Sequence, residues 1–224
     1  MYTKLISSLI LGIVMSASTQ AAAIMWSATV TNGLSMANGA ELPAGNLARL
    51  GVFNLSDSQI TAAATAGSIA LLDGSFVEVG SARIGDALGG TDGHFSTNTD
   101  FANTTPNRQM YFWIFFSADN SSNSASISSA LQIGIFKMDM AINPNWAIPV
   151  DPAMASLDLS DLTDANTSST LRVGASILYG SFPTGTSTAT QFPNFGLAPP
   201  VPEPGIFGLL GLTGLGFLAR RRSN

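Results

Sequence analysis

Residues 108–117 constrain this chain more than any other stretch. Met110, Phe112, Ile114 and Phe116 share one face of a two-residue period, and Tyr111, Trp113 and Phe115 share the other. A strand that is apolar on both faces must be covered on both, which places it in the middle of a sheet with a layer on each side. Around it, residues 24–32, 47–55, 75–84, 131–138 and 170–180 carry strand patterns, separated by turn signals such as Asn32-Gly33 and Asn38-Gly39. Ser56 and Gln59 have the spacing of a capping box, so a helix is predicted from there toward Gly67. Leu171, Val173, Ala175, Ile177 and Tyr179 alternate as the second clean strand, and residues 156–162 read as extended chain passing into a capped turn. Short strands, turn clusters, one short helix and no βαβ alternation predict a mainly β fold, a single β-sandwich or open barrel.

The two ends differ in kind from this middle. Lys4, an apolar run over 5–15 and Ala21-Ala22-Ala23 form the three parts of a secretory signal peptide, so residues 1–23 are expected to be removed. At the other end stand Val201-Pro202-Glu203-Pro204, an uncharged run over 206–219 and Arg220-Arg221-Arg222. The prolines hold Val201 and Glu203 in extended backbone and present the tetrapeptide as a strut. A helix over 205–219 would be about 22 Å long, against a bilayer core of about 30 Å. The arginines then serve as a basic stop on the cytoplasmic side. Residues 182–200, rich in Thr, Pro and Ser, read as a spacer, leaving 24–181 as the β-rich ectodomain.

Charge and composition restrict the chemistry. Between residues 24 and 200 there are five basic and thirteen acidic side chains, so the basic footprint needed to bind nucleic acid is missing. The absence of cysteine excludes thiolate sites and cysteine nucleophiles. His94 is the single histidine, predicted as a loop residue beside Gly93, and no Gly-x-Ser-x-Gly elbow accompanies it. Asp158, Asp161 and Asp164 are spaced as on one short helical face, but aspartates that cap turns and hydrate surfaces explain them better than glycosidase carboxylates do. Asp86 and Asp92, with Gly89-Gly90 between them, are the candidate ligands for calcium, the one cofactor this oxygen-rich loop would suit. The aromatic residues over 111–116 fit a core strand better than a carbohydrate platform.

The C-terminal arrangement resembles the PEP-CTERM sorting signal of Gram-negative bacteria, in which a Pro-Glu-Pro motif, an apolar segment and a basic tail are read by an exosortase. The resemblance rests on Pro202-Glu203-Pro204, 206–219 and 220–222, in that order at the very end; Gly205 stands where Ser or Thr is commoner. It makes residues 201–224 a sorting signal and implies a membrane processing enzyme as partner. It also implies an inner-membrane intermediate and a final place in the cell envelope or extracellular matrix. The order Leu42-Pro43-Ala44-Gly45, Arg49-Leu50-Gly51-Val52-Phe53, residues 79–85, Gly134-Ile135-Phe136 and Asp158-Leu159-Ser160-Asp161-Leu162 is similar to ectodomains of other PEP-CTERM proteins, Verrucomicrobia-like in character, and carries no activity with it. The expected function is a non-enzymatic exported protein, with a carbohydrate-binding module that meets exopolysaccharide as the alternative and a glycoside-active enzyme as the third reading.

Overall fold

The computed structural model describes residues 22–29, 31–101, 106–117, 127, 130–150, 153–165 and 167–200. Residues 1–21 of the signal peptide expected over 1–23, together with Val201-Pro202-Glu203-Pro204, the run over 206–219 and Arg220 to Arg222, therefore lie outside the described residues. Ten strands and two α-helices are described: β1 Ala22–Ala28, β2 Leu34–Ser35, β3 Leu47–Phe53, α1 Asp57–Thr65, α2 Ile69–Ser75, β4 Phe76–Arg83, β5 Phe95–Phe101, β6 Tyr111–Phe116, β7 Gln132–Met138, β8 Met154–Asp158, β9 Ala175–Tyr179 and β10 Phe195–Gly196. They form a five-stranded sheet in the order β4-β3-β6-β7-β9, a three-stranded sheet β5-β1-β8 and a short pair β10-β2. The fold is mainly β, as its alternations predict.

β6 occupies the centre of the larger sheet, for the reason its sequence gives. Phe112 and Ile114, with Leu50, Val52, Phe136 and Met138, face Ile24, Trp26, Phe95 and Leu157 of the smaller sheet in one buried cluster. The Phe112 ring meets Trp26 at 5.6 Å and Trp146 at 5.0 Å between centroids. Tyr111, Trp113 and Phe115 face the other way, into a cluster closed by Ile60, Ala63, Ala64, Ile69 and Leu72 of the two helices. The layers therefore run helices, five strands, three strands. The inter-sheet layer also takes in Phe195 and Leu197 from the C-terminal end.

α1 begins as its sequence predicts, with Ser56 and Gln59 completing both halves of the capping box. It ends at Gly67, whose φ of 71° gives the left-handed turn that stops a helix without a Cβ penalty. α2 was not anticipated, because Ile69 and Leu72 supply only two apolar contacts one turn apart and the segment leads directly into β4.

Two strand predictions need correction. The alternation of residues 75–84 does not run unbroken through β4: Val77 is 46% exposed, while Val79 packs half-buried against the inter-sheet cluster. The register against β3 shifts between Leu50↔Gly80 and Gly51↔Glu78, so Val79 is the extra residue of a bulge and the faces exchange there. Phe76 then enters the helix-side cluster and Ala82 the inter-sheet one. In the last clean alternation only 175–179 is strand. Leu171 and Val173 lie exposed in the approach, where Asp139 N donates to Gly174 O at 2.9 Å. β5 was missed because Ser96-Thr97-Asn98-Thr99 reads as loop. Its pairing with β1 runs from Ala28↔Phe95 to Ala22↔Phe101.

Candidate functional site

The most distinctive feature is the way the chain is held as it approaches its C-terminal end. Residues 182–200 are not a spacer. Phe182 stacks on Phe195 with centroids 4.5 Å apart, and Ser187, Asn194, Phe195 and Leu197 are all buried to within 1%. β10 pairs in parallel with β2. Leu197 N donates to Ser35 O at 2.9 Å, Ser181 and Gly196 exchange two bonds of 2.9 Å, and so do Ile133 and Ala198. Asn32 adds a side-chain clamp, its Nδ2 donating to Pro193 O at 2.6 Å and to Ser168 O at 3.0 Å. Finally the Tyr179 hydroxyl donates to Pro199 O at 2.7 Å. Full burial of Phe195 and Leu197 contributes roughly 1.5–3 kcal/mol each. The composition misled because Thr and Ser hydroxyls usually mean solvent. Here Thr190 Oγ1 donates to Thr31 O and Thr188 Oγ1 to Glu41 Oε2, so they are spent on the fold.

His94 lies in the loop beside Gly93, as expected, but it belongs to the same clamp and is only 2% exposed. Its Nδ1 lies 2.8 Å from Ala28 O and its Nε2 2.9 Å from Ser187 Oγ. A carbonyl only accepts, so the network assigns the ring hydrogen to Nδ1 and leaves Nε2 to accept the serine hydroxyl. Ser187 Oγ also receives Ala189 N at 3.2 Å and Thr190 N at 3.1 Å. Histidine and serine are thus adjacent as in a hydrolase. The orienting group, however, is a carbonyl, and the hydroxyl is fully buried and capping a turn. A Cβ at Gly33 would lie 2.8 Å from the imidazole, which explains that glycine.

The acidic candidates are likewise committed to backbone. Asp86 Oδ2 accepts from Arg83 N at 2.6 Å, closing a turn, and Asp92 Oδ1 accepts from Ala44 N at 2.8 Å, tying its loop to one 48 residues away. Among the described residues no three His, Cys, Asp or Glu side chains gather as a metal would require. Asp158 caps the 3₁₀ turn Leu159–Leu162 and also receives Ser27 Oγ at 2.6 Å, tying β8 to β1. Asp161 Oδ2 accepts Trp146 Nε1 at 3.0 Å and Asp158 N at 3.2 Å, and burial raises its pKa above the usual carboxylate range. It lines a polar cleft of about 270 Å³ with Thr31, Thr163, Ser168 and Arg172. A larger groove of about 420 Å³ runs past Asp139, Met140, Asn145, Ile148 and Met154.

The aromatic row considered as a sugar platform lies inside. Trp26, Trp113 and Trp146 are fully buried and Tyr111 is 6% exposed. Sequence reading missed Arg49, which stands in an apolar strand. Its guanidinium is 2.8 Å from Asp73 and 2.5 Å from Glu78, and lies over the rings of Phe76 and Trp113. Arg49 links α2 to β4 across the helix-side cluster. A planar, weakly hydrated cation between two rings suits that position as lysine would not.

The mainly β domain holds its chain up to Pro199, and in the sequence Pro202-Glu203-Pro204, an uncharged run and three arginines follow. Residues 200–222 match the family model described as the PEP-CTERM protein-sorting motif. That motif implies export and processing by exosortase-type machinery. No curated protein and no solved structure matches the chain. No helix among the described residues is long and apolar enough to cross a membrane.

Proposed function

We propose that this chain is a non-enzymatic protein of the cell envelope or extracellular matrix, released from a membrane intermediate by an exosortase that reads Pro202-Glu203-Pro204. The sorting motif carries this reading, because it has the three unlike parts in order and begins one residue after the last tethered carbonyl, Pro199. The burial of the tryptophans and of the His94–Ser187 pair supports a domain whose unusual residues serve its own architecture. In this scheme 206–219 holds the intermediate in the membrane and 220–222 sets its orientation.

Expression in hosts with and without an exosortase tests the proposal. The chain should lose its apolar run and arginines only in the first host. Glu203→Ala, which removes the charge of the strut and leaves 206–219 unaltered, should accumulate there at precursor size. Equal mature mass in both hosts would refute exosortase-dependent sorting.

A further inference from the structure

The tether between fold and motif is unusually short, and this has a steric result. From Pro199, held by Tyr179, to Glu203 is four residues, at most about 14 Å even when extended. Ile206, where the apolar run begins, is at most about 25 Å away. A domain of some 180 residues has a radius of gyration of about 16 Å. It cannot swing clear of an enzyme that has its groove around Glu203. Peeling the strap off instead would expose Phe195 and Leu197 and orphan the backbone bonds to Ser35, Ser181 and Ile133. The strap therefore stays in place, and the surface around its exit meets whatever binds the strut.

That surface has a distinct apolar feature. Ile133 faces Ala198 in an antiparallel bridge, two residues from Leu131 in one segment and two residues from Pro200, the first residue of the matched motif, in the other. Leu131 is 52% exposed, and Ala37, whose N–H donates at 2.7 Å to Oε1 of Gln132, the residue after Leu131, is exposed as well. Resting on the sorting function proposed above, we propose that Leu131 and Ala37, around Pro199, form a docking surface for the exosortase-type enzyme itself. The substrate is then recognised as a folded face plus a strut, and the short tether sets their spacing.

The test uses the full chain in a host with the exosortase, following conversion of precursor by pulse-chase. Leu131→Glu should slow conversion at least fivefold at native length. With twelve Gly/Ser residues inserted between Pro199 and Pro200, about 19 Å of flexible chain, Leu131→Glu should convert as fast as the lengthened parent. A thermal melt checks that the exposed substitution leaves the fold intact. A photo-crosslinker at position 131 should label the exosortase. Conversion of Leu131→Glu at the parent rate, equal slowing in the lengthened chain, or an adduct with lipid alone would overturn the docking surface. Failure of the parent chain itself to convert, or conversion of Glu203→Ala, would instead overturn the sorting reading.

Discussion

The indole Nε1 of Trp146 donates to Oδ2 of Asp161 at 3.0 Å, joining a fully buried ring to the capping box of a one-turn helix. The carboxylate also accepts Asp158 N, so it is held by two donors, yet burial outweighs them and raises its pKa. A carboxyl whose folded value lies above its unfolded one favours the fold while protonated. Its contribution is present below the ordinary value, near about 4, and is lost as the pH rises through the folded value.

Asp161→Asn should therefore retain both accepted bonds and remove a poorly solvated charge. Chemical denaturation should find the variant equal to or more stable than the parent at pH 7, with the difference shrinking toward pH 4. A loss of stability at pH 7 that vanishes toward pH 4 would mean that the charge itself is needed.

The two-sided burial of β6 makes its apolar positions expensive to empty. Ile114→Ala should cost about 2–5 kcal/mol, and Ile114→Asp, which leaves an unpaired carboxylate in the inter-sheet cluster, should prevent folding. Urea titration of the first and solubility of the second measure this. A loss below about 1 kcal/mol for Ile114→Ala would contradict the close packing between the sheets.

Residues 22–181 should not make a stable domain. Ending the chain there removes Phe182, Phe195 and Leu197 and uncovers β2, and the two buried side chains of the strap alone contribute roughly 3–6 kcal/mol. That is comparable to a domain's whole margin of about 5–15 kcal/mol. Residues 22–200 should show a cooperative melt that the shorter chain lacks. Equal midpoints would restore the spacer.

How far the sequence revealed this molecule depends on whether a residue's partner is near in the chain. The alternation of β6, the Ser56–Gln59 box and the three-part C-terminal end are local patterns, and each was legible. The β3–β4 bulge depends on Gly51, where a Cβ would lie 2.6 Å from the Phe76 ring, so a contact between strands decides which valine turns outward. The burial of His94 and of the strap was illegible for the same reason. Their partners Ala28, Ser35 and Ser187 are remote in sequence, and a hydroxyl spent on a distant carbonyl looks no different from one in water. Asp86 and Asp92 were read correctly as loop aspartates, but only the geometry shows that each is spent on a separate backbone N–H.

The start of β1 bears on the signal peptide expected over residues 1–23. Ala22 is fully buried, and Ala23 pairs with both Asp100 and Met154. Cleavage after Ala23, the boundary expected from the small-residue run, would shorten the strand at the centre of its sheet by two residues. Cleavage after Ala21 keeps it whole. N-terminal mass spectrometry of the exported protein should find Ala22, and a start at Ile24 or retention of Met1 would rule this out.

The clamp between Gly33 and Asn194 joins positions 161 residues apart. A ribosome adding about 5–20 residues per second needs roughly 8 to 30 s to make that interval. Throughout it, β2 has no strand to receive it and the inter-sheet layer lacks Phe195. The last piece of the domain to be synthesised is thus the one that closes it, and it lies immediately before the sorting signal. Completion of the fold and delivery of the signal to the membrane become nearly a single moment in the life of the chain, so a domain interrupted before its end is also one that lacks its address.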